Sequence, residues 1–264
     1  MKKYHISGKF IILFMAAVMV VGFAIGARPL LSSWWPSLKE QAPVAEEATH
    51  FQREDAALLG QIIAIYRRID TLSVIDMGGS IRISDPAEPT ENVNATFNYC
   101  RRNAEMYYQL GDNEMIQLKD VCISANRGIE KLFVSPPKEV VAAPQLPVDS
   151  IIALWESDSD AINSTHTDNL TTVQLLCERH VTCKELKITY DRSAGKLNSI
   201  YMRLTNLEDP LNRKMDREIT TVFNKWNEVI TDGRRLSLST YLQKEGEGWK
   251  PAAAYSNFRL ISTL

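Results

Sequence analysis

The chain has 264 residues, 45% of them hydrophobic, and sets 30 Lys and Arg against 32 Asp and Glu for a formal net charge of −2. That balance and a pI of about 6.1 give no argument for a nucleic-acid binder, and the basic doublets Arg67-Arg68, Arg101-Arg102 and Arg234-Arg235 stand isolated. The length allows one or two domains with real cores.

Lys2, Lys3 and Lys9 precede an uncharged apolar run from Phe10 to Ala27, which Arg28 closes and Trp34 and Trp35 follow. At about 1.5 Å per residue such a run just spans a bilayer core of about 30 Å, and the preceding lysines predict an inside N-terminus. The run is longer than the usual apolar region of a cleavable leader, which is the competing reading. Either reading exports the rest. The expected localisation is the bacterial inner membrane, single-pass, with the C-terminal region periplasmic. Residues 28–50, with "PSLKEQAPVAEEATH" at the end, form a polar tether.

From Phe51 the chain turns apolar at helical spacing. Phe51, Leu58, Ile65 and Leu72 recur every seven residues, and Ile62 and Ile69 fill the second seam. This stripe, Leu58, Ile62, Ile65, Ile69 and Leu72, predicts either a membrane-proximal coiled-coil dimer or a helix packed within its own domain. Leu59, Ile63 and Tyr66 widen the apolar face and favour internal packing.

The four cysteines, Cys100, Cys122, Cys177 and Cys183, all lie beyond the apolar run. In an oxidising compartment an even number argues for two disulfides. "ATFNYCRRNAEMYYQL" has helical composition, "GDN" is a turn, and "NEMIQLKDVCISANRGIEKLF" resumes the helix. Cys100 and Cys122 are equidistant from Gly111, so a disulfide there would staple an αα-hairpin. Cys177 and Cys183 then pair across "CERHVTC". A metal held by Cys177, His180 and Cys183 is the alternative, with His166 the nearest fourth ligand.

Prolines in 135–148 mark a linker. Beyond it Asp168 caps a helix over "NLTTVQLLCERH", and "KELKITYDRSAGKLNSIYMRLT" alternates about a glycine turn as a β-hairpin. Asp209 caps a second helix, with Leu211, Met215, Val222, Trp226 and Val229 as its buried stripe. "RRLSLSTYLQ" and "AYSNFRLISTL" read as two last strands. The predicted fold class is α+β: an N-terminal transmembrane helix, a helical region (αα-hairpin plus heptad helix), and an αββαββ antiparallel sandwich. The expected boundaries are a cytoplasmic start at 1–9, anchor 10–27, tether 28–50, helical domain 51–134, linker 135–148 and α+β domain 149–264.

No catalytic constellation stands out. "SAGK" at Ser193–Lys196 spells Ser-x-x-Lys but falls in a hairpin turn, and no phosphate loop, nucleophile elbow or zinc-protease motif is present. The loop "DSDAINSTHTD" lacks the glycine and terminal glutamate of a helix-loop-helix calcium site. No catalytic residue, metal site or cofactor is predicted.

The order of parts resembles the PilO-like and GspM-like bitopic inner-membrane assembly proteins of type IV pili and type II secretion. The resemblance covers most of the chain as architecture and rests on no specific motif; the stapled hairpin has no counterpart in that plan. It implies a non-enzymatic scaffold whose partners are the inner membrane and other envelope proteins or a second copy, and no nucleic acid. The alternative is a periplasmic ligand-binding or sensory module.

Overall fold

A computed structural model describes residues 53–137, 161–178, 181–246 and 248–263. Among the described residues one α-helix, α1 (Arg53–Thr71), leads into β1 (Val74–Ser84), β2 (Val93–Arg102), β3 (Glu105–Leu110), β4 (Asn113–Gln117), β5 (Cys122–Asn126) and β6 (Lys131–Ser135). After the undescribed 138–160 come β7 (Ala161–Thr167), β8 (Leu170–Leu176), β9 (Cys183–Asp191), β10 (Lys196–Leu204) and β11 (Arg217–Asn227). A hairpin of β12 (Leu242–Glu245) and β13 (Gly248–Pro251) precedes β14 (Arg259–Ser262).

Twelve strands make one sheet in the order β14-β6-β5-β4-β3-β2-β1-β11-β10-β9-β8-β7. Two meanders, β1–β6 and β7–β11, meet where β1 pairs antiparallel with β11. Among the described residues only the β14–β6 pair is parallel. Strands from either side of the expected linker therefore share one sheet, and a helical region beside an αββαββ sandwich is overturned. With it goes the PilO-like and GspM-like plan, which needs that helical region.

The apolar seam of α1 is real but lies against its own sheet. Ile62, Ile65 and Ile69 are buried with Leu59 and Tyr66, and Leu58 and Leu72 pack at the margin. Opposite them the sheet presents Ile75, Met77, Tyr99, Val173, Ile188 and Ile200. At about 1.5–3 kcal/mol for each buried apolar side chain, the five buried helix residues contribute on the order of 10 kcal/mol. This corrects the coiled-coil expectation: the seam is consumed internally. The Arg101 guanidinium clamps the helix end, donating to the carbonyls of Ile69 (2.5 Å), Asp70 (3.1 Å) and Leu72 (2.6 Å). These are carbonyls that a helix C-terminus leaves without internal partners.

The opposite face of β2–β6 carries a second core. Cys100, Tyr107, Ile116, Ile123, Leu132 and Val134 meet Leu236, Tyr241, Leu242, Tyr255 and Phe258 from the C-terminal segment. Strands buried on both faces lose the in–out alternation that betrays a strand. That is why 97–133 reads as helices and folds as β2–β6. Gly111 does turn the chain, at φ +53, but it joins β3 to β4, and Asn103 at φ +56 makes a turn inside the supposed first helix.

The two C-terminal helices are also strands. "LTTVQLL" is β8, with Asp168 in the preceding turn at φ +53 rather than at a cap. Of the stripe expected over 209–232, Val222 and Trp226 fall in β11, where β-branched and aromatic residues prefer a pleated surface, and Leu211, Met215 and Val229 fall outside it. Leu211 is 97% exposed and Val229 66%, so the helical spacing was coincidental. The hairpin read from 184–205 forms, as β9 and β10. The expected strand at 234–243 is mostly short 3₁₀ turns, Gly233–Leu236 and Leu238–Thr240.

The apolar run 10–27 lies outside the described residues. Among the described residues no helix is long and apolar enough to cross a membrane. The expected single-pass inner-membrane localisation therefore has no structural support.

Candidate functional site

β10 ends in two different ways. At its C-terminal end it is locked to β9 and to the loop before β11 by buried ions. Lys184 Nζ donates to the Asp216 carboxylate at 2.9 and 3.1 Å and to the Pro210 carbonyl at 2.6 Å. Arg203 bonds Asp216 (2.9 Å), Glu185 (3.2 Å) and Glu178 (2.6 Å). Burial alone would push the Asp216 and Glu185 carboxyls up. Bonds from Lys184 and Arg203 to Asp216, and from Lys187, Gln174 and Arg203 to Glu185, outweigh it and hold both below their ordinary values.

At its N-terminal end β10 parts from β11. Their pairing starts only at Ser199↔Val222. Beyond it Lys196 and Leu197 still pair with β9, while Phe223, Lys225, Trp226 and Asn227 still pair with β1. Two β-bulges cause the split. Asn198 is the extra residue on β10, between Leu197↔Tyr190 and Ser199↔Thr189. Asn224 is the extra residue on β11, between Gly79↔Phe223 and Gly78↔Lys225. A bulge bends its strand and strengthens the local twist, and two on neighbouring strands at one level force them apart. The bulge in β11 needs Gly79: a Cβ there would sit 1.8 Å from the Val222 carbonyl oxygen.

The gap is a cleft of about 260 Å³ lined by Leu170, Asp191, Ala194, Lys196, Leu197, Asn198, Phe223, Asn224, Lys225 and Trp226. Phe223 and Trp226 form its aromatic wall, edge to face at 6.2 Å, with Phe97 continuing the stack. The ionisable groups are already engaged. Lys196 Nζ donates to the Trp226 carbonyl at 3.2 Å, and Lys225 Nζ to Asp76 at 2.6 Å. Asp191 accepts from the Ser193 hydroxyl and the Ser193 and Ala194 amides, and these bonds, the hydroxyl's first, hold its carboxyl below the usual range.

One lining residue carries a buried polar atom without a partner. Trp226 is 8% exposed, and its indole Nε1–H is buried without an acceptor. Buried donors are rarely left so, because an unmet one costs about 1–3 kcal/mol. The Tyr66 hydroxyl, on the helix over the same layer, is orphaned as well, and burial pushes its phenol far up.

The sequence-derived residues lie elsewhere. Cys100 and Cys122 are three strands apart, about 14 Å at roughly 4.8 Å per step, and on opposite faces of the sheet. A disulfide needs Cα atoms within about 7 Å, so the stapled hairpin is overturned. Burial, with the Asp76 charge second, pushes the Cys100 thiol up to about 11. Cys177 pairs with Lys184, the neighbour of Cys183, across the β8–β9 connection, and no disulfide is formed there either. His180 lies outside the described residues. His166 bonds Thr171 at the far end of the β7–β8 hairpin from Cys177, so it is no fourth ligand. Among the described residues no three His, Cys, Asp or Glu side chains are grouped to hold a metal. Leu58, Ile62, Ile65, Ile69 and Leu72 come together, as the floor of α1 on the sheet.

No protein-family model matches the sequence, and no curated protein matches it. Solved structures give distant likenesses. An uncharacterized conserved protein from Thermus thermophilus aligns with 76% of this chain and 98% of its own, at 6% identity and TM-score 0.37. LprF from Mycobacterium bovis aligns over 67% and 95%, at 10% identity and TM-score 0.32. A LolA superfamily protein from Nitrosomonas europaea aligns over 66% and 96%, at 9% identity and TM-score 0.21. At TM-scores below 0.5 nothing about the role of this chain follows from them.

Proposed function

We propose that this chain is a non-enzymatic ligand-binding module whose site is the cleft between β10 and β11. The ligand is a small amphipathic molecule, or one end of a longer one. Its apolar body lies on Phe223, Trp226 and Leu197, and a hydrogen-bond acceptor on it meets the Trp226 indole N–H. What supports the reading is the cleft that two bulges open against Phe223 and Trp226, next to a buried indole N–H that has no acceptor. The volume is just under the roughly 300–1,000 Å³ of common small-molecule sites, which supports a small or partly inserted ligand. Binding is favoured over catalysis because Lys196, Lys225 and Asp191 are each committed to a protein partner. The scaffold reading loses its main support, since the heptad seam is spent on the sheet.

The test is a titration of the full chain with cis-parinaric acid, a fluorescent long-chain carboxylate. Wild type binds saturably. Trp226→Phe keeps the ring wall but removes the N–H and weakens binding by about fivefold, the equivalent of roughly 1 kcal/mol for one hydrogen bond. Asn198→Trp, at an exposed lining position, fills the mouth and abolishes binding. Saturable binding that neither substitution alters overturns the site.

A further inference from the structure

The two edges of the sheet differ in how they meet water. β14 is short, four residues, and begins with Arg259. β7, at the other edge, runs seven residues, Ala-Ile-Asn-Ser-Thr-His-Thr, with no Lys, Arg, Asp, Glu or Pro. Its register with β8 is unbroken from Ala161↔Leu176 to Thr167↔Leu170. Its side chains from Asn163 to Thr167 are exposed, and among the described residues no strand pairs with its outer edge. Edge strands usually carry one of those guards, because a bare row of N–H and C=O groups is a template for another strand.

We propose that the β7 edge pairs antiparallel with the β7 edge of a second copy of this chain, about a two-fold axis at Ser164. The hydrogen-bond pattern and the side chains agree on that register. The β7–β8 hairpin closes at Thr167↔Leu170 through a two-residue turn, with Asp168 at φ +53. Alternation from that closing pair turns the N–H and C=O of Ile162, Ser164 and His166 outward. With the axis at Ser164, Ser164 faces its own copy and Ile162 faces His166. Those pairs use every outward group, for about six inter-strand hydrogen bonds. On the other face Asn163 meets Thr165. No ionised side chain faces a like charge, which is the usual obstacle to joining two identical edges, and the polar β-branched pairs suit a sheet surface. A partner edge of opposite charge would find nothing on β7 to recognise, so the second copy fits better than a charged peptide. Self-association is thereby assigned to a strand edge and not to α1.

The experiment is sedimentation velocity on the full chain from about 1 to 100 µM, with two substitutions at the axis. Ser164→Pro removes an outward N–H and leaves every bond of β7 to β8 in place; an edge strand tolerates it. Ser164→Lys keeps the N–H but sets two ammonium groups face to face. The expected result is a wild-type dimer and at least a tenfold rise in its dissociation constant in both variants, with far-UV circular dichroism and cis-parinaric acid binding unchanged. A wild type that stays monomeric at 100 µM overturns the proposal. So does a dimer that survives both substitutions.

Discussion

The two ends of β10 solve opposite problems. At the closed end, Lys184, Arg203, Glu185 and Asp216 are almost wholly buried, yet their charges are paired. At the open end of the same strand, a pair of bulges parts β10 from β11 and leaves a tryptophan donor with nothing to bond. A fully satisfied polar network holds a structure in one arrangement, whereas an unsatisfied donor beside a cleft stands ready for something else. The contrast teaches where stability and binding reside on one strand.

Four substitutions or conditions sharpen it. Arg203→Met strands Glu185 and Asp216 around a single remaining buried cation, Lys184, and should cost about 3–5 kcal/mol of unfolding free energy in urea. A loss under about 1 kcal/mol would mean that the closed end is not held by its ions. Gly79→Ala acts at the open end: its Cβ meets backbone, not a yielding side chain, so the β1–β11 bulge must shift. The expected loss is about 2–3 kcal/mol together with weakened cis-parinaric acid binding.

Acid should act most on the closed end, where the lowered carboxyls are buried. Asp216 and Glu185 lie below their ordinary values of 3.8 and 4.5, so their stabilisation is complete above those values. It is lost as pH falls through the lower folded-state values. Urea midpoints should hold flat near neutrality and drop below about pH 4, with Arg203→Met showing a shallower drop. Trp226→Phe should change stability least, by about 1 kcal/mol, while still weakening ligand. If it unfolds the chain instead, Trp226 is a packing residue and the open end is merely core.

The sequence revealed local features better than long-range ones. The seam of α1, the β9–β10 hairpin and the bend at Gly111 were all legible, because each is set by residues near in sequence. The β2–β5 meander was not: Tyr99 and Cys100, or Met106 and Tyr107, are both buried on opposite faces, so no alternation survives. Equidistance of Cys100 and Cys122 from Gly111 meant nothing once the hairpin was a sheet. Trp226 was visible only as one member of a helical stripe. Its role depends on Asn198 and Asn224, and a bulge exists only in the register between two strands. A Gly78-Gly79 pair inside an apolar run was the one local sign of close backbone approach there.

The strand pair that joins the two meanders sets Asp76 against Asn227, with most of the chain between them. Each flanking meander can zip from turn to turn soon after its residues appear, but β1 must wait for β11. Closing so long a loop is entropically costly and slow. The bulges that open the cleft sit beside this late seam, so the binding site is completed at the end of folding, not at its start. A chain whose two halves have formed but not yet docked would have both meanders and no cleft. Ligand competence would then report that the last long-range contact has closed.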